Sequence, residues 1–350
     1  MRSGTFKENY AGLIVLTDNP VKWVWAAVAL TLVAVFPLVA NSYTLNLATM
    51  VAVAGVAVIG LNLLTGIAGQ LSLGHAGFMA VGAYAQAILT TDYGWPGLLA
   101  IPVAGVLAAI SGLVVGVPSL RLRGLYLALT TLGFSYIVTH ILVEWESVTR
   151  GPSGMPAEAL RIPGTDLGPD QAVYAVAWSV LVLAVLASLN LNRSRIGRAW
   201  HALHEHDIAA SAMGINLTAY KLQAFLASSF FAGCAGALMA GQTRYVNVDS
   251  FSILLSVEML AMLIVGGIGR VSGAVLGAAF IVMLPELLRW GVDGAGAGLQ
   301  ELLANHAPET KELLYGAVIL LFLRFEPEGL AGIWRKFKRE CHIDQEHDEH

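Results

Sequence analysis

The fold is decided by Val51-Ala-Val-Ala-Gly-Val-Ala-Val-Ile-Gly-Leu-Asn-Leu63, the centre of an apolar stretch that runs from residue 43 to residue 63 without a charged side chain. A helix needs about 18 or more such residues to cross the hydrocarbon core of a bilayer. Only helices and closed barrels satisfy their backbone groups in lipid, and the stretch lacks the alternating polarity of barrel strands. It therefore predicts a transmembrane helix.

The same composition continues along the chain. Of its 350 residues, 56% are hydrophobic and only 13% are charged, whereas a soluble domain carries about 25% charged residues. The chain is therefore predicted to be an all-α, polytopic transmembrane bundle with about ten spans (eight to ten). The predicted spans are 21–40, 43–63, 67–90, 97–117, 124–144, 172–190, 219–242, 251–268, 271–289 and 313–324.

The two last spans are less regular than the others. Residues 271–289 include Gly273, Gly277 and Pro285, so a re-entrant or broken path is an alternative to a full span there. The last span, 313–324, is short for a membrane helix.

Basic residues orient the bundle, because lysine and arginine concentrate in cytoplasmic segments. With both termini in the cytoplasm, ten spans leave only five of the 20 lysines and arginines outside: Arg150, Arg161, Arg244, Arg289 and Lys311. Six spans then precede the basic segment after residue 192. We predict a cytoplasmic N-terminal segment (1–20), a transmembrane domain (21–325) and a charged cytoplasmic tail (326–350).

A basic insert separates the sixth and seventh spans. It opens with Asn192-Arg-Ser-Arg-Ile-Gly-Arg198 and predicts a cytoplasmic helix over 198–214, with Gly214 at the position where a glycine ends a helix. A helix lying at the lipid interface and a helix that docks another protein both agree with this pattern.

Residues 60–84 place polar side chains among glycines at membrane depth. Glycine permits close backbone approach or an unwound turn, which is tolerated only where it is buried in protein or lines a cavity. The segment is either part of a transport pathway or a site of close helix packing with hydrogen bonds between helices. The candidate pathway residues within it are Asn62, Gln70, Ser72 and His75.

Glu258 is a further candidate because it lies in the middle of the span 251–268. A carboxylate inside a membrane is costly, so it marks a cavity or a partner. It either holds the ammonium group of a substrate or pairs with a basic residue for structure.

A short internal repeat connects two of these regions. Thr65-Gly-Ile-Ala-Gly-Gln-Leu-Ser72 resembles Gly266-Gly-Ile-Gly-Arg-Val-Ser272, and both are predicted at cytoplasmic turns. Transporters are often built from internal repeats.

Several motifs are missing from the sequence. It has no phosphate-binding loop of the G-x-x-x-x-G-K-[ST] type, and His204-Glu-His-Asp207 lacks the histidine spacing of a zinc protease. We predict no catalytic residues, no metal site, no cofactor in this chain and no nucleic-acid partner.

A family resemblance explains the insert. Asp207-Ile-Ala-Ala-Ser-Ala-Met-Gly-Ile215 resembles the coupling helix of ABC importer permeases of the branched-chain amino-acid class, although the usual leading glutamate is replaced by Ile208. The resemblance, to LivM-like permeases, covers residues 45–325. It includes Gly60-Leu-Asn62, Gly69-Gln-Leu-Ser-Leu-Gly-His-Ala-Gly-Phe78, Arg121-Leu-Arg-Gly-Leu-Tyr-Leu-Ala-Leu-Thr-Thr-Leu-Gly133, Gly151-Pro-Ser-Gly154, Ser194-Arg-Ile-Gly-Arg198, Phe231-Ala-Gly-Cys-Ala-Gly-Ala-Leu238 and Gly266-Gly-Ile-Gly269.

The resemblance implies a subunit that works with others in the bacterial inner membrane. Its partners would be a sister LivH-like permease, two ATPase subunits that hold ATP and magnesium, and a periplasmic or lipid-anchored binding protein for leucine, isoleucine or valine. It also implies a set of residues that couple the chain to the ATPases: Arg198, Asp207, Ala209, Ala210 and Gly214.

Two other functions remain open. The same architecture could carry urea, short amides or other amino acids. An ion-coupled secondary transporter would work without partners, but it would need more ionisable residues in the core than Glu258 and His75.

Overall fold

The computed structural model describes residues 28, 31–37, 39–120, 122, 124–162 and 167–293, and the single positions 316, 324, 329, 330 and 332. The predicted segment 1–20 lies outside the described residues. So do the tenth span and the tail 326–350, apart from those single positions. Of the first predicted span, 21–40, residues 31–37 are helical.

The described chain is a bundle of α-helices, which confirms the all-α class. Its one pair of strands among the described residues is short: β1 (Met155–Pro156) pairs antiparallel with β2 (Tyr245–Val246). The helices are α1 (Ser42–Leu61), which continues into a π-helix (Asn62–Ile67), α2 (His75–Thr91), α3 (Gly97–Ser119), α4 (Leu125–Glu144), α5 (Pro169–Arg193), α6 (Arg195–Glu205), α7 (Asp207–Ala212), α8 (Leu217–Thr243), α9 (Ile253–Gly266) and α10 (Val271–Asp293).

By length and composition, five helices of the described chain can cross a membrane: Ser42–Ile67, Gly97–Ser119, Leu125–Glu144, Pro169–Arg193 and Leu217–Thr243. Two shorter apolar helices, Ile253–Gly266 and Val271–Leu287, accompany them. The chain is thus a helical membrane bundle, and the number of ten spans stays a prediction.

The structure changes one predicted span and shows that another is continuous. The span 67–90 begins too early in the prediction, because Ile67 belongs to the preceding helix and α2 starts only at His75. Residues 271–293 form one continuous helix that includes Pro285, so the described segment is not broken.

The connections gather at two ends of the bundle. At one, the loop end, the segment 145–162 is tied to the α8–α9 connection by the β1–β2 pair and by the hydrogen bond from the Tyr245 hydroxyl to the carbonyl of Ser153. An ion pair of 2.9 Å between Arg244 and Asp170 joins α8 to α5 there. At the other, which we call the elbow end after the bend between α6 and α7, lie these two helices, the π-helix and the α9–α10 turn. The loop and the basic insert therefore lie at opposite ends, as the charge pattern predicts.

Small residues let the central helix α8 approach its neighbours closely. A Cβ added at Gly82 of α2 would collide with the carbonyl of Gly233, and one at Gly112 of α3 would collide with the Ser229 hydroxyl. Close backbone approach through glycine is the usual basis of helix packing in membranes. These contacts fix α2 and α3 against α8 and so position the segment that precedes α2.

Candidate functional site

The helix α1 does not end in an ordinary cap but widens into the π-helix. Residues 68–74 then run without helix before α2 begins, and Gly69 has a positive φ of 68°. The backbone is held by a bond from the Gln70 amide to the Leu64 carbonyl (2.9 Å) and by one from the Thr65 hydroxyl to the Gln70 carbonyl (3.0 Å). The segment is therefore an unwound turn, with a glycine at its residue of positive φ.

Asn62 joins this segment to the α9–α10 turn. Its side chain is completely buried, and its Oδ1 accepts a hydrogen bond of 2.9 Å from the amide of Gly269. Gly66 lies directly against the same turn, because a Cβ added there would come within 2.6 Å of the Gly269 nitrogen. The two halves of the predicted internal repeat are therefore in contact.

Gly69 joins the segment to the elbow. A Cβ added at Gly69 would lie 2.8 Å from Cδ2 and 3.2 Å from Cα of His204 in α6. The site thus brings three elements together, and we call the contacts of Gly66, Gly69 and Gly269 with Asn62 and His204 the glycine junction.

His75 makes a hydrogen bond to another helix, and Ser72 makes a local one to His75. His75 is fully buried, with Nε2 at 2.8 Å from the Ser228 hydroxyl and Nδ1 at 3.3 Å from the Ser72 hydroxyl. The Ser256 hydroxyl of α9 accepts from the Ala76 amide at 3.0 Å. These bonds fit the packing alternative for Ser72 and His75, and a pathway role for them stays a prediction.

Gln70 and Asn62 each have a buried side-chain amide nitrogen. Gln70 Nε2 and Asn62 Nδ2 are buried and have no hydrogen-bond partner within the described part of the chain. Buried amide donors without a partner are unfavourable. Of the predicted pathway residues in the segment, these two are therefore the ones with unused donors.

Glu258 lies apart from the other four predicted pathway residues. It is half-buried on α9, and Leu254 and Val257 beside it are exposed. Ser256 faces α2, whereas Glu258 lies about 200° further around the helix. Glu258 therefore belongs to the periphery of this chain.

The basic insert is not one helix. The prediction of a single helix over 198–214 is wrong, because α6 ends at Glu205, His206 adopts an extended conformation and α7 follows. The Ser194 hydroxyl caps α6 by accepting from the amides of Ile196 and Gly197 at 3.1 and 3.3 Å. We call the two helices with their break at His206 the elbow.

The elbow ends as predicted, at Gly214. Its φ is 84°, and its amide donates to the carbonyl of Ser211 at 3.0 Å. The amide of Ile215 donates to the carbonyl of Ala210 at 3.1 Å. This pair of bonds is the Schellman motif, which needs a residue with positive φ at that position.

The elbow is anchored on one side and exposed on the other. Trp200 is buried, and its Nε1 donates to the Tyr220 carbonyl at 2.9 Å, which fixes α6 on α8. Of the predicted coupling residues, Ala210 is buried and so cannot be a contact for a partner, whereas Asp207 is half-buried. The exposed ones are Arg198, Ala209 and Gly214.

Two exposed apolar side chains on the elbow are missing from the sequence-based set. Ile208 is 73% exposed and Met213 is 85% exposed. Their signal in the sequence is that two large apolar residues lie in a polar segment.

A cavity of about 320 Å³ opens at the elbow end between α5 and α10. Val185, Leu189 and Val275 give it apolar walls, and its polar lining comes from Asn192, Arg270 and Ser272. The predicted pathway residues are not among the residues that line it.

Comparison with known proteins places the chain in a family. The family model of the branched-chain amino acid transport system permease component matches residues 43–323. The chain is 33% identical to the high-affinity branched-chain amino acid transport system permease protein LivM of Escherichia coli K12, over 88% of this chain and 75% of that protein.

Other relatives have related names. LivM of Salmonella typhimurium LT2 is also 33% identical, over 88% of this chain and 74% of its own length. A probable branched-chain amino acid transport permease protein, LivH of Methanocaldococcus jannaschii, is 26% identical over 75% of this chain and 83% of its own length. No solved structure matches the chain. With its membrane-length helices and a family match over most of its length, the chain is a multi-pass membrane protein that belongs to the family of branched-chain amino-acid transport permease components.

Proposed function

We propose that the chain is the permease subunit of an ABC importer that carries leucine, isoleucine and valine across the bacterial inner membrane. A sister LivH-like permease completes the pathway, and two ATPase subunits bind ATP and magnesium and supply the energy. A periplasmic or lipid-anchored binding protein delivers the substrate. The names of the relatives support the substrate class and the pairing of two permeases.

The elbow is the observation that carries this proposal. On one side of the elbow its residues Trp200 and Ala210 are buried. On the other side its residues Ile208 and Met213 are exposed. Exposed apolar side chains on an anchored helix are typical of the buried centre of a protein interface. The sequence has no phosphate-binding loop of its own, so the elbow is the element to which an ATPase subunit would dock.

The exposed side of α9 supports the pairing with a sister permease. There the half-buried Glu258 lies beside the exposed Leu254 and Val257. We propose that the sister permease packs over this side, so that Glu258 lies between the two subunits and faces the ammonium group of a substrate.

Asn62 and Gln70 form a second polar position on the proposed pathway, apart from Glu258. Their amide groups have buried donors without a partner among the described residues, and an amide N–H is a suitable donor to a carboxylate. We propose that these donors face the pathway when the glycine junction opens.

Reconstitution tests the proposal. The chain is purified with its sister permease and ATPases, placed in proteoliposomes, and assayed for uptake of labelled leucine with and without ATP and the loaded binding protein. We expect uptake only when both are present, and none when the ATPases carry a substitution of the phosphate-loop lysine.

Two outcomes would contradict it. Leucine uptake by this chain alone, driven by a proton or sodium gradient, would identify a secondary transporter. ATP-dependent uptake of labelled urea or a short amide, with no uptake of leucine, would keep the architecture and replace the substrate.

A further inference from the structure

We propose that His204 is the positioning residue through which the elbow moves the transmembrane bundle, by bearing on Gly69 at the end of the π-helix. The inference rests on the proposed function, because it assigns the route by which movement of the ATPases reaches the membrane helices. It also assigns a purpose to the π-helix and to the unwound segment.

The side chain of His204 lies over the space that a side chain at residue 69 would occupy. The imidazole Cδ2 and Cγ would lie 2.8 and 2.9 Å from a Cβ at Gly69, and the Cα of His204 would lie 3.2 Å from it. A side chain at residue 69 would therefore not fit unless His204 moved. A displacement of α6 towards the bundle would bring the imidazole of His204 against the backbone of Gly69.

The position of His204 on α6 makes it suitable for transmitting a movement of the elbow to Gly69. It lies one helical turn after Trp200, which is fixed to the Tyr220 carbonyl, so the two side chains project from the same side of α6. After His204 the helix ends at Glu205, and α7 carries the exposed Ile208. Force applied to α7 by a docked partner would therefore turn α6 about Trp200 and act on Gly69 through His204.

The segment that receives the force has a second arrangement open to it. A π-turn is rare in proteins and occurs frequently at functional sites. Here the amide of Ala68 donates to Leu63 at 3.1 Å, five residues back, and Asn62 Nδ2 and Gln70 Nε2 remain without a described partner. Conversion of the π-turn to an α-turn would shift the following residues by about one residue rise of 1.5 Å.

Such a shift would be passed on to α9. Asn62 Oδ1 holds the Gly269 amide, and Gly66 lies against the same residue. Gly269 belongs to the turn after α9, the helix that carries Glu258. The contacts therefore form a continuous route from the elbow to the proposed substrate side of α9.

Substitution of Gly69 by alanine tests the route in the complete reconstituted complex. We expect the Gly69→Ala variant to keep ATP hydrolysis stimulated by the loaded binding protein, while the leucine transported per ATP falls by about tenfold or more, because overpacking a close contact displaces its neighbours. Gly94→Ala is the matched control: Gly94 has a φ of 64°, similar to the 68° of Gly69, but nothing lies within 4 Å of an added Cβ. It should leave the ratio unchanged.

The reciprocal variant keeps the test decisive if Gly69→Ala folds poorly. His204→Ala removes the ring from an exposed position and should also lower the leucine-to-ATP ratio. In the double variant the new methyl group at residue 69 occupies space that the ring has left, so we expect the ratio to recover towards that of the wild type. A purely structural contact would lower stability, hydrolysis and uptake together and would leave the ratio constant.

Different results would contradict the proposed function and the route through His204. A wild-type complex without ATP-dependent leucine uptake would remove the proposed function. Normal wild-type uptake, with an unchanged leucine-to-ATP ratio in both single variants, would overturn the route through His204 and leave the proposed function intact.

Discussion

The side chain of Asn62 accepts a hydrogen bond of 2.9 Å from the amide of Gly269, although 207 residues separate the two in sequence. The bond joins the end of the first helix–turn–helix unit, α1–α2, to the turn of the last described one, α9–α10. Both turns carry a Gly-Ile pair followed by a further glycine, Gly66-Ile-Ala-Gly69 and Gly267-Ile-Gly269, and glycine is what allows their backbones to approach. The two turns therefore act as one element at the elbow end.

This bond predicts a stability effect. Replacement of Asn62 by alanine leaves the amide of the half-buried Gly269 without its acceptor, which costs about 1–2 kcal/mol. We expect a lower unfolding midpoint in detergent. Asn46→Ala is the control, because Asn46 accepts from Gln242 at the exposed loop end, where loss of a hydrogen bond costs less than about 1 kcal/mol. Equal shifts for the two variants would contradict a special role for the Asn62 bond.

Helix packing predicts opposite results for two glycines. Gly82→Ala places a methyl group against the backbone carbonyl of Gly233, which cannot rotate away, so we expect destabilisation of about 1–3 kcal/mol. Gly133→Ala in α4 meets nothing within 4 Å, and a helical glycine replaced by alanine gains about 0.5–1 kcal/mol. Thermal unfolding of the two variants checks this. A stabilised Gly82→Ala would disprove the close α2–α8 contact.

The position of Glu258 predicts a transport effect. Glu258→Gln keeps the shape of the side chain and removes the charge, so we expect the maximal leucine uptake rate to fall about tenfold, as for loss of a hydrogen bond to a charged group. Stability and assembly should not change. Glu144→Gln, at an exposed position, is the control and should transport normally. Normal uptake by Glu258→Gln would favour the structural pairing instead.

The sequence predicts the long helices well and their interruptions poorly. α1, α3, α5 and α8 follow from uninterrupted apolar runs, because length and polarity are local properties. The break at 68–74 lies inside a run without a charged residue, and the contacts with Gly269 and His204 that accompany it come from distant parts of the chain. The predicted span 67–90 therefore starts too early.

In the elbow, too, the sequence predicts the helix end but not the interruption. The position of Gly214 and the polar composition of the insert were readable locally, and the helix end is confirmed. The break at His206 was not, since the residues around it all tolerate a helix. Ala210 is buried, and Ile208 and Met213 are exposed, because the second helix turns after His206 and presents a different side than one continuous helix would.

The exposed side of the elbow predicts where an ATPase subunit binds. Ile208→Asp or Met213→Asp places a charge in an interface that would otherwise be apolar, and loss of a central apolar contact weakens association by about tenfold or more. We expect the ATPases to be lost on copurification and leucine uptake to stop, while the unfolding midpoint of the isolated permease stays the same, because both side chains are exposed. Tyr93→Asp is the control: Tyr93 is 71% exposed at the loop end, so its substitution should leave the ATPases bound. Full retention of the ATPases by both elbow variants would mean that they dock elsewhere, and a lowered midpoint would mean that the two side chains stabilise the permease itself.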